Sequence, residues 1–289
     1  MFVIFNVRYY IVTMTAIFLA LGIGMFSGVM LNNNKILEKS QDKIIESLEK
    51  KFNDLKKEKY NLLTELKKIR KSQQVYNEIL EKVFPDIISN RLDGLNILMI
   101  QTHLGDLGLN LIDDLTNAGA RVQSVSIGNI KKSIPEVLND YPVLANSDRN
   151  NENYFLDKVI EGLLRQEDNS LIEFLKDRKV INVVGDYPGS FDYVVIVDER
   201  KNKQEEMELV IAAVIQSLKR NHKNVIAVET KDTENVFINL YKQQKIPTID
   251  NIDTVLGKLA LIFGMEKGIN GHYGVKNGAE ELFPLEVIK

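Results

Sequence analysis

The chain opens on an unbroken apolar pattern. From Tyr9 to Asn34 no residue carries a charge, and the centre of the run, Tyr10 to Leu31, is 22 residues long. At about 1.5 Å per residue a helix of that length spans the roughly 30 Å hydrocarbon core of a bilayer. A cleaved signal sequence has a shorter apolar region, about 7–15 residues, that ends at a small-residue cleavage site. Here the small residues lie inside the run, which continues past them. The pattern predicts an uncleaved, single-pass anchor over residues 1–34, held in the cell membrane. Ala16, Ala20, Gly24 and Gly28 recur every four residues along it. They share one helix face, and small side chains there let two spans approach closely.

The pattern then changes period. Residues 35–82 contain no Gly and no Pro, and apolar residues alternate at spacings of three and four. Ile45, Leu48, Phe52, Leu55, Leu62, Leu66, Ile69, Tyr76, Leu80 and Val83 occupy ten of the twelve positions in this register; Lys59 and Gln73 take the other two. Over five heptads of this kind predict a coiled-coil stalk at 35–84, and with it a homo-oligomer. A single amphipathic helix lying on a globular domain is the alternative. A rod of about 70 Å would overhang an ordinary domain. Pro85 and the Asn90/Gly94 region are expected to end it.

Residues 90–289 read as an α/β domain. Short β-branched runs are expected as strands at Asn96–Gln101, Val122–Ile127, Lys179–Gly185, Tyr193–Asp198 and Asn224–Glu229, with a short extended piece at Ile246–Ile249. Helical patterns are expected at 107–117, 154–165, 171–177, 205–219, 234–243 and 250–265, the last capped by Asp250 or Asp253. Residues 128–150, with Pro135 and Pro142, read as a polar excursion outside the core. Strands alternating with helices predict a mostly parallel, Rossmann-like sheet covered on both faces.

Charge separates the three parts. The net charge is −3 overall, but residues 35–82 carry 13 Lys/Arg against 9 Asp/Glu, which leaves the distal domain acidic. That balance excludes a nucleic-acid coat. The absence of cysteine excludes disulfides, a thiol nucleophile and Cys-ligated metal. Three lysines, Lys35, Lys39 and Lys43, follow the anchor and favour a cytoplasmic flank. The short N-terminal tail and long following domain favour the opposite orientation, with the C-terminal domain outside the cytoplasm.

Candidate chemistry is sparse. The loop from Thr102 to Gly108 lacks both glycine-rich phosphate fingerprints, and Asp106 reads as a helix cap rather than a phosphate contact. Asp186 and Asp198 stand at the carboxyl ends of strands, where open α/β sheets place ligands. They read as a cation pair or as caps of the elements that follow. His103 and His222 read as solvated. No catalytic triad and no zinc-protease motif occurs, so no enzyme and no cofactor is expected.

Two segments resemble a known family. Arg8-Tyr9-Tyr10-Ile11-Val12-Thr13, followed by Ala16 to Gly24 and Gly28, is similar to the opening of the MctB family. The tail Gly271-His272-Tyr273-Gly274-Val275-Lys276-Asn277-Gly278-Ala279, with Leu282 and Pro284, resembles that family's C-terminal signature. Tyr10 stands where many relatives carry His. The resemblance implies a role in copper transport or copper homeostasis in the bacterial cell envelope. For some relatives it implies a scaffold or regulator of cell separation, with an envelope hydrolase as protein partner. The residues themselves supply neither a transmembrane barrel nor a copper ligand set. Gly271, Tyr273, Gly274 and Gly278 read as a structural or recognition loop anchored by the tyrosine.

Overall fold

A computed structural model describes residues 7–102, 106–128, 130–140, 151–165, 170–185, 189–199, 205–233 and 236–288. His103, Asp186 and the stretch 141–150 lie outside the described residues. The chain divides into two units, residues 1–75 and 76–289.

A single helix, α1 (Val7–Ile88), contains both the apolar run and the heptad segment. Its residues Val7–Met30 are long and apolar enough to cross a membrane, with a mean hydropathy of 1.9, and are exposed all round. Pro85 does not end this helix, contrary to the expectation from its missing N–H. The helix runs on to Ile88 because Phe84 and Ile88 are buried in the core of the second unit. Asn90 and Gly94, both at positive φ, then turn the chain into the sheet.

The second unit holds a seven-stranded sheet in the order β3-β2-β1-β4-β5-β6-β7. Its strands are β1 (Asn96–Gln101), β2 (Arg121–Ser126), β3 (Asn182–Val184), β4 (Tyr193–Asp198), β5 (Asn224–Glu229), β6 (Thr248–Ile249) and β7 (His272–Tyr273). All neighbouring pairs are parallel except β2 with β3. The central strands are buried on both faces, as their unbroken β-branched runs require. The helices are α2 (Asp106–Asn117), α3 (Ile130–Asp140), α4 (Asn151–Arg165), α5 (Ser170–Asp177), α6 (Glu205–Arg220), α7 (Val236–Gln243) and α8 (Val255–Lys267). One core packs residues of α3 to α7 against the sheet; the other packs the end of α1, α2, α8 and the tail against its opposite face.

Four further expectations need correction. Residues 130–140 are not an excursion: Ile130, Ile134 and Val137 recur at helical spacing and are buried. The run Lys179–Gly185 forms only a three-residue antiparallel edge strand, because Val180 and Ile181 are spent in the core before pairing begins. Helix α8 starts at Val255, capped by Thr254, whose Oγ1 accepts from the Gly257 N–H at 3.1 Å. Asp253 instead accepts from the Lys231 N–H, and Asp250 is engaged by the tail. Finally, the tail is not all loop: His272 and Tyr273 add a seventh strand beside β6.

Candidate functional site

The carboxyl ends of the parallel strands carry a polar row. Asp198 of β4 stands opposite Glu229 of β5, and the register of β5 with β6 brings Asp250 next to Glu229. Thr102, which follows β1, donates from Oγ1 to Asp198 Oδ1 at 3.0 Å. Thr102, Asp198, Glu229 and Asp250 are all buried. The row begins between β1 and β4, where the strand order reverses and open α/β sheets form their crevice.

The tail closes this edge. The Val275 N–H donates to Asp250 Oδ1 at 2.6 Å, and the Lys276 N–H donates to Asp250 Oδ2 at 3.1 Å. The Lys276 ammonium reaches past Asp250 to Glu229 Oε2 at 2.9 Å. Gly274 makes the wrap possible: its φ is +137°, and a Cβ there would lie 2.0 Å from Asp250 Oδ1. Gly271 leaves room for the Tyr273 ring, whose hydroxyl donates to Glu286 Oε1 at 2.9 Å. Gly278, also at positive φ, turns the chain so that its carbonyl accepts from Lys242. The tail signature is therefore a clasp on Asp250 and Glu229.

The electrostatics of the row are unbalanced. Among the described residues, three carboxylates face one ammonium. Burial raises the Glu229 carboxyl from about 4.5 to about 7; Lys276 opposes the rise, and Asp198 and Asp250 add to it. Glu229 Oε1 and Gln101 Oε1 are buried without a hydrogen-bond partner. Tyr273 is pushed up to about 12 by burial and by Glu286. His272 is held below its ordinary value by burial and Lys242; its Nδ1 lies 3.0 Å from Thr248 Oγ1.

Two hollows flank the clasp. A groove of 630 Å³ lies between Ile87, helix α8 and the tail, lined by Leu259, Phe263, Leu282 and Leu285. Arg91 sits on its rim, 4.3 Å above the Phe263 ring and 2.9 Å from Glu266. A polar hollow of 260 Å³ lies beside His272, Lys242 and Lys245.

Residues 4–128 and 154–284 match the family described as "Copper transport outer membrane protein, MctB". The chain belongs to the MctB family. The matched residues take in the α1 opening and the Gly271–Pro284 tail, the two segments that carry the resemblance in the sequence. No curated protein matches the chain.

The family's cargo can be set against the donors present. Among the described residues no group of three or more His, Asp or Glu is placed to hold a metal ion. His222 is exposed at the end of α6, and His272 is in β7, on another element. The soft donors Met14, Met25 and Met30 lie in α1 at spacings that make no single ligand face. These donors do not fit a copper(I) or copper(II) site. The described sheet is mostly parallel and packed on both faces, unlike the antiparallel, lipid-facing wall of an outer-membrane barrel.

Of the residues singled out in the sequence, Gly271, Tyr273, Gly274 and Gly278 are brought together by the clasp. Ala16, Ala20, Gly24 and Gly28 are exposed on α1, and nothing lies within 4 Å of a Cβ built at Gly24 or Gly28. Ile45, Leu48, Phe52, Leu55, Leu62, Leu66, Ile69 and Tyr76 are exposed, and Leu80 is half-buried. Asp198 is in the row. The sequence offers Asp250 only as a helix cap and Lys276 only as part of the tail motif, and gives Glu229 no role beyond the end of a strand. A signal for two of them was present: β4, β5 and β6 are each followed or ended by an acid, in YVVIVD, NVIAVE and TID.

Proposed function

We propose that this protein is a single-pass envelope component that self-associates through α1 and acts in copper homeostasis as a non-catalytic recognition module. The carrying observation is the clasp. In a Rossmann-like domain the carboxyl-end crevice is where a ligand or reactive group would sit. Here two of its acids, Glu229 and Asp250, hold the chain's own tail. The apolar stretch Val7–Met30 suits an anchor, and the exposed heptad positions suit a coiled coil with a second copy. The copper role follows from the family's description. The misfit of the donor set makes that role indirect, through association with another envelope protein rather than through a pore or a bound ion. The C-terminal domain acts outside the cytoplasm in this reading.

The test pairs a phenotype with a metal analysis. A strain lacking the protein is expected to be copper-sensitive and to be rescued by the full chain. The full chain purified in detergent is expected to carry no stoichiometric copper. Unchanged copper tolerance, with a defect confined to cell separation, would overturn the homeostasis role. Stoichiometric copper would overturn the indirect one.

A further inference from the structure

The heptad register does not stop where the apolar seam was first read. Continuing the alternation of three and four from Leu80 and Val83, the next core position is Ile87. Ile87 lines the 630 Å³ groove together with Leu256, Leu259, Phe263, Leu282 and Leu285. The folded domain covers only one side of this helical end: Phe84 and Ile88 are buried in its core. The seam side stays open, with Tyr76 66 %, Ile79 52 % and Val83 38 % exposed.

The residues flanking the seam add a second observation. In this register Ile79 and Asp86 take the flanking position just before a core residue. Such positions are ordinarily charged and pair across to the other helix. Ile79 is apolar and open to solvent. In a parallel pair the flank before one core layer faces the opposite flank of the next heptad. That sets Ile79 towards the level of Phe84 of the second copy, where that copy's own α/β domain packs on the helix. The helix ends at Ile88, so Asp86 has no heptad partner beyond it; among the described residues the groove's rim carries Arg91 and Lys267 against Glu266, a positive balance that the exposed Asp86 complements.

We propose that two copies of this chain pair beyond the seam, each laying the Ile79–Asp86 flank of its helix against the apolar groove of the other. The proposal rests on the coiled-coil reading above and extends it to the α/β domain. A two-fold axis along the pair fills both grooves with one self-complementary contact, which closes and cannot propagate. A bound acyl chain would fill the groove equally well, but would leave Ile79 and the register at Ile87 without a role.

The natural chain has no cysteine, so single-cysteine variants of the full chain report contacts without background. Leu285 is 63 % exposed on the groove wall, and its replacement leaves the core intact. Tagged copies carrying Ile79→Cys or Asp86→Cys are mixed in membranes with untagged copies carrying Leu285→Cys, then treated with a short bismaleimide. A separate pair carries Leu48→Cys in both copies and reports the seam. The expected result is a tagged–untagged adduct from the groove pair and a covalent dimer from the seam pair. A seam dimer without any groove adduct overturns this proposal, leaves the coiled coil standing and assigns the groove to another occupant. Absence of both products overturns the coiled-coil reading and this proposal with it.

Discussion

The Lys276 ammonium lies 2.9 Å from the Glu229 carboxylate, with the two side chains only 6 % and 1 % exposed. The pair joins the last stretch of the chain to the end of a central strand. Asp198 and Asp250 stand near enough to raise the Glu229 carboxyl. Removing one partner of a buried pair strands the other, at about 3–5 kcal/mol. Lys276→Ala is expected to lower stability by that order at pH 8, above the point where Glu229 ionises. Thermal unfolding of the full chain in detergent checks it.

Glu229 also makes stability depend on pH. Its carboxyl is raised from about 4.5 to about 7 in the folded protein, so the folded state holds a proton there that the unfolded chain releases. The contribution is complete below about 4.5 and is lost as pH rises through about 7. Over that window it amounts to about 3 kcal/mol. The protein is expected to melt at a higher temperature at pH 6 than at pH 8. Glu229→Gln cannot titrate and should flatten the difference, while a slope unchanged in that variant would place the pH dependence on another group.

Gly274 tests the wrap itself. A side chain there meets Asp250 Oδ1 at 2.0 Å and a φ of +137° that L-residues avoid. Gly274→Ala is expected to break the Val275 and Lys276 N–H bonds to Asp250. Amide exchange should then quicken across the tail, ahead of any loss in β1 and β4. Gly268, at φ +79° but with open space around it, is the comparison, since there only the backbone strain applies.

Much of this architecture was legible because it rests on long apolar patterns. Tyr10–Leu31 and the buried strands NILMIQ, YVVIVD and NVIAVE announce themselves over six or more residues. Helix α3 was obscured because Lys131, Lys132, Ser133 and Pro135 separate three buried positions. Strand β7 could not be read at all. Two residues carry no periodicity, and their pairing is fixed by Asp250 and Gly274, which are distant in sequence from one another. Asp250 was misread for a local reason. An acid before an apolar helix resembles an N-cap, but the cap falls to Thr254 once Asp250 is held by the tail.

The seam predicts its own disruption. Leu62 and Leu66 are about half exposed in the single chain, 53 % and 48 %, so charging them leaves one copy's fold untouched. In a pair the same positions are buried, and an unpaired carboxylate there is costly. Leu62→Asp with Leu66→Asp is expected to abolish self-association of the full chain in detergent by analytical ultracentrifugation, without changing its helix content.

Small residues in α1 predict a different contact. Gly24 has open space around it, and Phe26 points roughly to the opposite side of the helix. Gly24→Ile is expected to weaken pairing of the span in a membrane reporter, and Phe26→Ile to leave it unchanged. Equal effects would show that general apolarity, not a close-packed face, governs the span.

The tail's adjacent residues His272 and Tyr273 separate a copper role from a structural one. Tyr273 is buried in the core beside α8 and bonds Glu286, so Tyr273→Ala removes both ring packing and a satisfied hydroxyl. A loss of about 3 kcal/mol is expected, within the usual range for a core aromatic. His272 points to the other face, bonds Thr248 and is held below its ordinary pKa by burial and Lys242. Imidazole is a common metal ligand, but among the described residues His272 belongs to no group of three or more metal-binding side chains. His272→Ala is therefore expected to leave both melting temperature and copper tolerance nearly unchanged. The two variants should separate cleanly: one unfolds the tail and the other does nothing. Loss of copper tolerance with His272→Ala at unchanged melting temperature would put copper at this residue and overturn the indirect role.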